Sequence, residues 1–145
     1  MSAWKPGVSM TSIEGTTVCI VEDDPVLCFL MREICKASGF KVLAAASDIA
    51  GASCMLDNRL PDILLLDYSL DGGDDGMELL SRIKRDYPGL ATVLVTGWDI
   101  HKLAARLDYV APDYHLQKPV LPRDLSCLLK EIDAAKLRPE LAEAA

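Results

Sequence analysis

The chain has 145 residues, the size of one folded domain, and half are hydrophobic against 26% charged, a balance that excludes a wholly disordered protein. Lys and Arg total 15 against 22 Asp and Glu, a net charge of -7, so nucleic acid and anionic lipid repel it unless a local basic patch intervenes. No apolar run reaches the ~18 residues of a membrane span, no signal peptide opens the chain, and five cysteines without a C-x-x-C pair argue for buried free thiols in a reducing cytosol rather than a disulfide scaffold or zinc ribbon.

Residues 1–15 mix Ser, Thr, Gly and Pro without periodicity and read as a flexible leader. Thr17 to Val21 is short, apolar and β-branched, the pattern of a buried strand. It stops at Glu22-Asp23-Asp24. Pro25 suits the first turn of a helix and Asp24 its N-cap. Leu27, Leu30, Met31 and Ile34 recur at helical spacing, and Gly39 ends the helix. Phe40 to Ala45 predicts a weaker strand. Asp48 opens a poor helix through Leu56, weakened by Gly51.

Ile63 to Leu66 predicts a third strand, which stops at Asp67. A Gly- and Asp-rich loop follows, Leu70 to Gly76. Leu79, Leu80, Ile83 and Tyr87 mark a third helix, ended by Pro88-Gly89, with Arg82-Ile83-Lys84-Arg85 as its solvated face. Ala91 to Val95 predicts a strand that stops at Thr96-Gly97. Ile100, Leu103, Ala104 and Leu107 mark a fourth helix. Tyr114 to Gln117 is a short strand before Lys118-Pro119. Pro122 starts a fifth helix with Leu125, Leu128, Leu129 and Ile132 inward. The domain is expected over residues 16–135, and the Ala- and Glu-rich tail 136–145 either extends the last helix or frays.

This order is βα repeated five times. Unbroken apolar strands alternating with amphipathic helices imply an α/β fold: a doubly wound parallel sheet with helices on both faces. In such sheets the site lies beyond the carboxyl ends of the strands. Glu22-Asp23-Asp24, Asp67, Thr96 and Lys118 should therefore meet at one rim. Clustered carboxylates repel one another, so they take up protons or recruit a cation. Hard oxygen ligands without His or thiolate favour Mg²⁺. Mg²⁺, a lone Asp, a Lys and a hydroxyl make a phosphoryl-transfer site, in which the Asp can attack phosphorus and form an acyl phosphate. Singly, each feature has a plainer explanation: a helix cap, a turn residue, an uninformative Lys-Pro. All four at four strand ends of one βα series is much harder to produce by chance.

With those residues in view, the chain resembles a receiver domain of the two-component response regulators. The resemblance rests on Val21-Glu-Asp-Asp-Pro25, Leu64-Leu-Leu-Asp-Tyr68, Asp75-Gly76, Val95-Thr-Gly97 and Lys118-Pro119, over about residues 16–135. Spacing agrees: Asp67 to Thr96 is 29 residues and Thr96 to Lys118 is 22. The resemblance implies a flavodoxin-like strand order 2-1-3-4-5. It implies that Asp67 accepts a phosphoryl group from a phosphohistidine on a sensor kinase or phosphotransfer protein. Asp23 would bind Mg²⁺ directly and Glu22 through water, with Asp67 and the backbone carbonyl of Ser69 completing the protein ligands. Thr96 would close on the phosphoryl oxygens and Lys118 would pair with the phosphate. Asp24 lies one place beyond the usual acidic pair, which leaves it the capping role.

The chain departs from the family pattern in three places. Three residues before the Lys, where Tyr or Phe is usual, stands His115. Tyr114 points to the opposite face of the strand and cannot replace it. Either His115 is the switch ring or the switch is altered; protonation of His115 near neutral pH would then bias it. The loop after Asp67 carries Asp71 where Pro is usual, and with Asp74 and Asp75 it is acidic and a poor phosphate cradle. In the family, the positions held here by Trp98 and Ser69 flank the path of the water that hydrolyses the acyl phosphate, so the resemblance makes both candidates for tuning its lifetime.

Nothing past residue 135 reads as an output module, so a stand-alone receiver is expected to act by protein contact, relay or phosphate sink. Such domains signal through the fourth helix, fifth strand and fifth helix, here roughly Asp99 to Ala135. The expectation is a cytoplasmic, bacterial protein without nucleic-acid or membrane partners, and no enzyme beyond its own phosphorylation and dephosphorylation. Two other readings stand beside it. A haloacid-dehalogenase-type phosphatase wants a second Asp two residues after the first, where Ser69 stands. A phosphorylation-independent adaptor on the same fold is opposed by Asp67, Asp23 and Lys118 and kept open by His115.

Overall fold

The computed structural model describes residues 15–69, 76–106 and 108–137. The expected leader (but for Gly15), the acidic loop with Asp71, Asp74 and Asp75, and the tail past Leu137 lie outside the described residues. The elements run β1 (Thr17–Val21), α1 (Pro25–Ala37), β2 (Lys41–Ala46), α2 (Ile49–Asn58), β3 (Ile63–Asp67), α3 (Gly76–Asp86), β4 (Ala91–Thr96), α4 (Ile100–Ala104), β5 (Tyr114–Gln117) and α5 (Pro122–Leu137). The five strands form one parallel sheet in the order β2-β1-β3-β4-β5. The order reverses direction at β1/β3, the switch point where open α/β sheets place their ligands.

The alternation of side chains along each strand builds two cores. Val18, Ile20, Ile63, Leu65, Val93 and Val95 face α1 and α5, where Met31, Ile34, Cys35, Leu125, Leu129 and Ile132 meet them. Cys19, Val21, Leu64, Leu66 and Leu94 face the other way, onto Ala52 and Leu56 of α2, Leu79, Leu80 and Ile83 of α3 and Leu103 of α4. β1 and β3 are buried on both faces, which is why they read as unbroken apolar runs. Each such Leu or Ile contributes about 1.5–3 kcal/mol on leaving water. Among the described residues no helix is long and apolar enough to cross a membrane.

Two reciprocal clamps tie the amino ends of strands together. Thr17 donates N–H and hydroxyl to Asp62 Oδ2 at 2.9 and 3.0 Å, and Asp62 N–H donates back to Thr17 Oγ1. Thr92 and Asp113 repeat the pattern between β4 and β5. Lys84 pairs with Asp113 at 2.5 Å, and Arg82 donates to Ser53 at 2.9 Å, so the basic run on α3 is partly engaged rather than simply solvated. Burial alone would raise the Asp113 carboxyl, but the bonds from Lys84 and Thr92 outweigh it and hold it below the usual range.

Several element bounds differ from the sequence reading. β2 starts at Lys41, and Phe40 is a buried core residue just before it. Tyr87 falls past the end of α3, half-buried against the second core. α4 is only Ile100–Ala104, and Leu107 lies outside the described residues. α5 runs on to Leu137. The cysteines are free as expected, yet Cys54 and Cys127 are exposed while Cys19 and Cys35 are buried. Helical periodicity did not place those two on the solvent side.

Candidate functional site

The strand register sets the site. Val21 pairs Leu66, Asp67 pairs Val95 and Thr96 pairs Gln117. Glu22 therefore sits level with Asp67, while Thr96 lies one residue and Lys118 two residues further toward the rim. Glu22 N–H donates to Ala46 O at 2.9 Å and Lys118 N–H to Thr96 O at 2.8 Å, which extends the ladder into the rim and fixes both backbones. The Lys118–Pro119 peptide bond is cis.

Asp67 is 4% exposed and Glu22 3%. Lys118 Nζ lies 3.2 Å from Asp67 Oδ1 and 3.4 Å from Glu22 Oε1, bridging the two carboxylates. Glu22 is pushed up to about 7, chiefly by burial and further by the charge of Asp67. Burial also raises Asp67, against the pull of Lys118. Lys118 is raised: burial favours its neutral form, but Asp67 and Glu22 outweigh that. One lysine thus partly neutralises two buried carboxylates, and a positive charge is lacking.

Glu22, Asp23 and Asp67 each bring a carboxylate oxygen within 4.8 Å of the others. Glu22 Oε1 is buried and makes no well-formed hydrogen bond, with the Lys118 ammonium at 3.4 Å as its ion-pair partner. Three hard oxygen donors, a buried carboxylate oxygen without a hydrogen bond and a charge deficit fit a divalent cation such as Mg²⁺. Asp24 stands apart from this group. Its carboxylate accepts from Val26 N–H at 2.9 Å and Leu27 N–H at 3.4 Å and caps α1, as expected.

Beside Asp67 opens a cavity of about 500 Å³. Ser69, Thr96, Trp98 and Lys118, all singled out from the sequence, line it together with Asp67. Ser69 N–H donates to Asp67 Oδ1 at 3.4 Å. Thr96 Oγ1 accepts from Trp98 N–H at 2.9 Å, so its hydroxyl proton is free to be donated elsewhere. His115 does not join the site: it is exposed, while Tyr114 packs into the α1/α5 core. The two rings face opposite sides of β5, as the period of a strand requires.

Three features escaped the sequence reading. Lys102 of α4 lines the same cavity. Tyr68, next to Asp67, meets Trp98 edge-on with ring centroids 5.8 Å apart, and Arg106 lies 5.5 Å from the Tyr68 ring and bonds its hydroxyl. Gly76 begins α3 against the site: a Cβ there would sit 2.4 Å from the Asp67 carbonyl oxygen and 2.7 Å from that of Tyr68. Its N–H donates to Tyr68 O at 2.7 Å, so the approach is held by a hydrogen bond. Only the spacing of Asp99 and Lys102 on one helical face hinted at the first; the other two need the loop path.

Residues 18–137 match the family model described as the response regulator receiver domain. The nitrogen assimilation regulatory protein NtrX of Azorhizobium caulinodans is 30% identical over 129 residues, 87% of this chain and 28% of that protein. The phosphate regulon transcriptional regulatory protein PhoB of Pseudomonas aeruginosa is 31% identical over 122 residues, 81% of this chain and 52% of that protein. The chain thus spans between about a quarter and a half of the length of these relatives. Among solved structures, a CheY-like receiver domain protein from Methanospirillum hungatei superposes with a TM-score of 0.71 at 27% identity, covering 86% of this chain and 98% of that one.

Proposed function

Because the chain belongs to the response regulator receiver domain family, we propose that Asp67 accepts a phosphoryl group from a phosphohistidine and that the chain signals through protein contact. One observation carries this reading. The buried Asp67 carboxylate lies 3.2 Å from Lys118 and within 4.8 Å of Glu22 and Asp23 oxygens, on the wall of an open cavity.

In this reading an Asp67 oxygen attacks phosphorus, the P–N bond to the histidine ring breaks, and its electron pair stays on the ring nitrogen. Lys118 offsets charge on the phosphoryl oxygens, and the Thr96 hydroxyl donates to one of them. Asp23 and Asp67 would hold Mg²⁺ directly, Glu22 through water, and the Ser69 carbonyl would complete the protein ligands. A cation bound there supplies the positive charge that three carboxylates and one lysine lack. Catalysis is then confined to the chain's own phosphorylation and dephosphorylation, with Trp98 and Ser69 bordering the approach of hydrolytic water.

The donor is a sensor histidine kinase or a phosphotransfer protein. Thr96 and His115 form the switch, and the segment from Asp99 to Ala135 presents the result to a protein target. The exposure of His115 supports a ring that is outward before phosphorylation. Free cysteines support a reducing cytoplasm as the place of action. The test is intact-protein mass after incubation with Mg²⁺ and acetyl phosphate, with Asp67→Asn alongside. One added phosphoryl group in wild type alone is expected. No addition there, repeated with a cognate kinase, overturns the reading and favours a phosphorylation-independent adaptor.

A further inference from the structure

Two lysines reach the cavity over Asp67, and they are not equivalent. Lys118 is bound at 3.2 and 3.4 Å to Asp67 and Glu22. Lys102, on α4, lines the same cavity and is exposed, and among the described residues it makes no ion pair. Its natural helical partner would be Asp99, three residues earlier. That carboxylate lines the same cavity, but it accepts from His101 N–H at 2.8 Å, caps α4 and makes no ion pair with Lys102. An unpaired cation thus borders the space through which a small phosphodonor must approach.

What such a cation does depends on the donor's leaving group. Phosphoryl transfer is roughly in line, so the leaving atom sits on the far side of phosphorus from Asp67, toward the cavity mouth. When an acyl phosphate reacts, the P–O bond breaks and its electron pair leaves on a carboxylate oxygen as a full negative charge. When phosphoramidate reacts with its nitrogen protonated, the P–N bond breaks and ammonia leaves neutral. A cation beside the mouth stabilises the first departure. It opposes the approach of the second donor's ammonium group.

We propose that Lys102 makes the site selective among phosphodonors, favouring small acyl phosphates, whose leaving group departs as an anion, over donors that leave as a neutral amine. This rests on Asp67 being the phosphoryl acceptor. Lys102 takes no part in holding the phosphoryl group, which leaves Lys118 and Thr96 their roles for every donor.

The test measures phosphorylation rates of the full chain by intact mass, with saturating Mg²⁺ and either acetyl phosphate or phosphoramidate. Wild type, Lys102→Ala and Lys102→Arg are compared. The ratio of the two rates is the diagnostic, because a structural disturbance slows both donors alike. One charge acting across a partly solvated mouth predicts a fall of about threefold to tenfold in the acetyl phosphate to phosphoramidate ratio on Lys102→Ala. Lys102→Arg should keep the wild-type ratio, and added salt should narrow the gap between wild type and Lys102→Ala. An unchanged ratio in Lys102→Ala overturns the proposal, whether both rates hold or both fall together. Failure of wild type with both donors instead overturns the acceptor role of Asp67, and the proposal with it.

Discussion

Glu22→Gln should stabilise the metal-free protein at neutral pH, although it removes a residue that faces the site. The Glu22 carboxyl rises from 4.5 to about 7 on folding, mainly because it is buried. The folded state therefore binds the proton more tightly than the unfolded chain does. Below about pH 4.5 the group is protonated in both states and has no cost. Between pH 4.5 and 7 stability falls as pH rises, and above 7 the whole penalty is present. At 1.36 kcal/mol per unit that penalty is on the order of 3 kcal/mol as an upper bound. Asp67 is raised as well and adds a penalty of the same sign. Lys118 is raised above 10.5, so its contribution is constant across this window. Gln cannot ionise, so its advantage over Glu should be absent near pH 4.5 and grow to roughly 1–3 kcal/mol by pH 8. Urea unfolding followed by circular dichroism in EDTA, at pH 4.5, 6 and 8, measures it. Saturating Mg²⁺ should then restore wild type at pH 8, by about 2.7 kcal/mol at a hundred times Kd. Parallel pH profiles for wild type and Glu22→Gln would refute the reasoning, because they would mean that the buried carboxylate carries no ionisation cost.

Gly76→Ala sets a methyl against the Asp67 and Tyr68 carbonyls at 2.4 and 2.7 Å, so α3 must move away from β3. We expect a loss of about 1–3 kcal/mol in urea unfolding and a slower phosphorylation of Asp67. Asp24→Ala should cost about 1 kcal/mol by uncapping α1 while leaving Mg²⁺ affinity unchanged, as read by metal titration of Trp fluorescence. Trp98→Ala removes the indole from the cavity wall and should shorten the phosphoryl half-life severalfold, followed by intact mass after donor removal. An equal half-life would assign Trp98 to packing on Tyr68 alone.

Much of the fold was legible because each strand and helix is locally consistent. The runs Val18–Val21 and Ile63–Leu66 are apolar without interruption, and only strands buried on both faces read that way. Asp24 beside Pro25 marked the start of α1 to the residue. Weaker signals gave weaker bounds. β2 is an edge strand and half-buried, so its first residue was misjudged by one. Exposure of Cys54 and Cys127 was hidden because a thiol has no polarity strong enough to mark the solvent side of a helix.

The candidate site divides along the same line. Sequence alone determined that Glu22, Asp23, Asp67, Thr96 and Lys118 end strands of one parallel sheet, since their positions follow from local patterns and the geometry of βα units. Tertiary structure decided what surrounds them. The burial of the Glu22 carboxylate, its bridging to Asp67 by Lys118, the close approach of Gly76 to the Asp67 carbonyl and the unpaired Lys102 on the cavity wall all depend on distances between segments far apart in the chain. Those distances are set by strand register and helix packing, which no local pattern encodes.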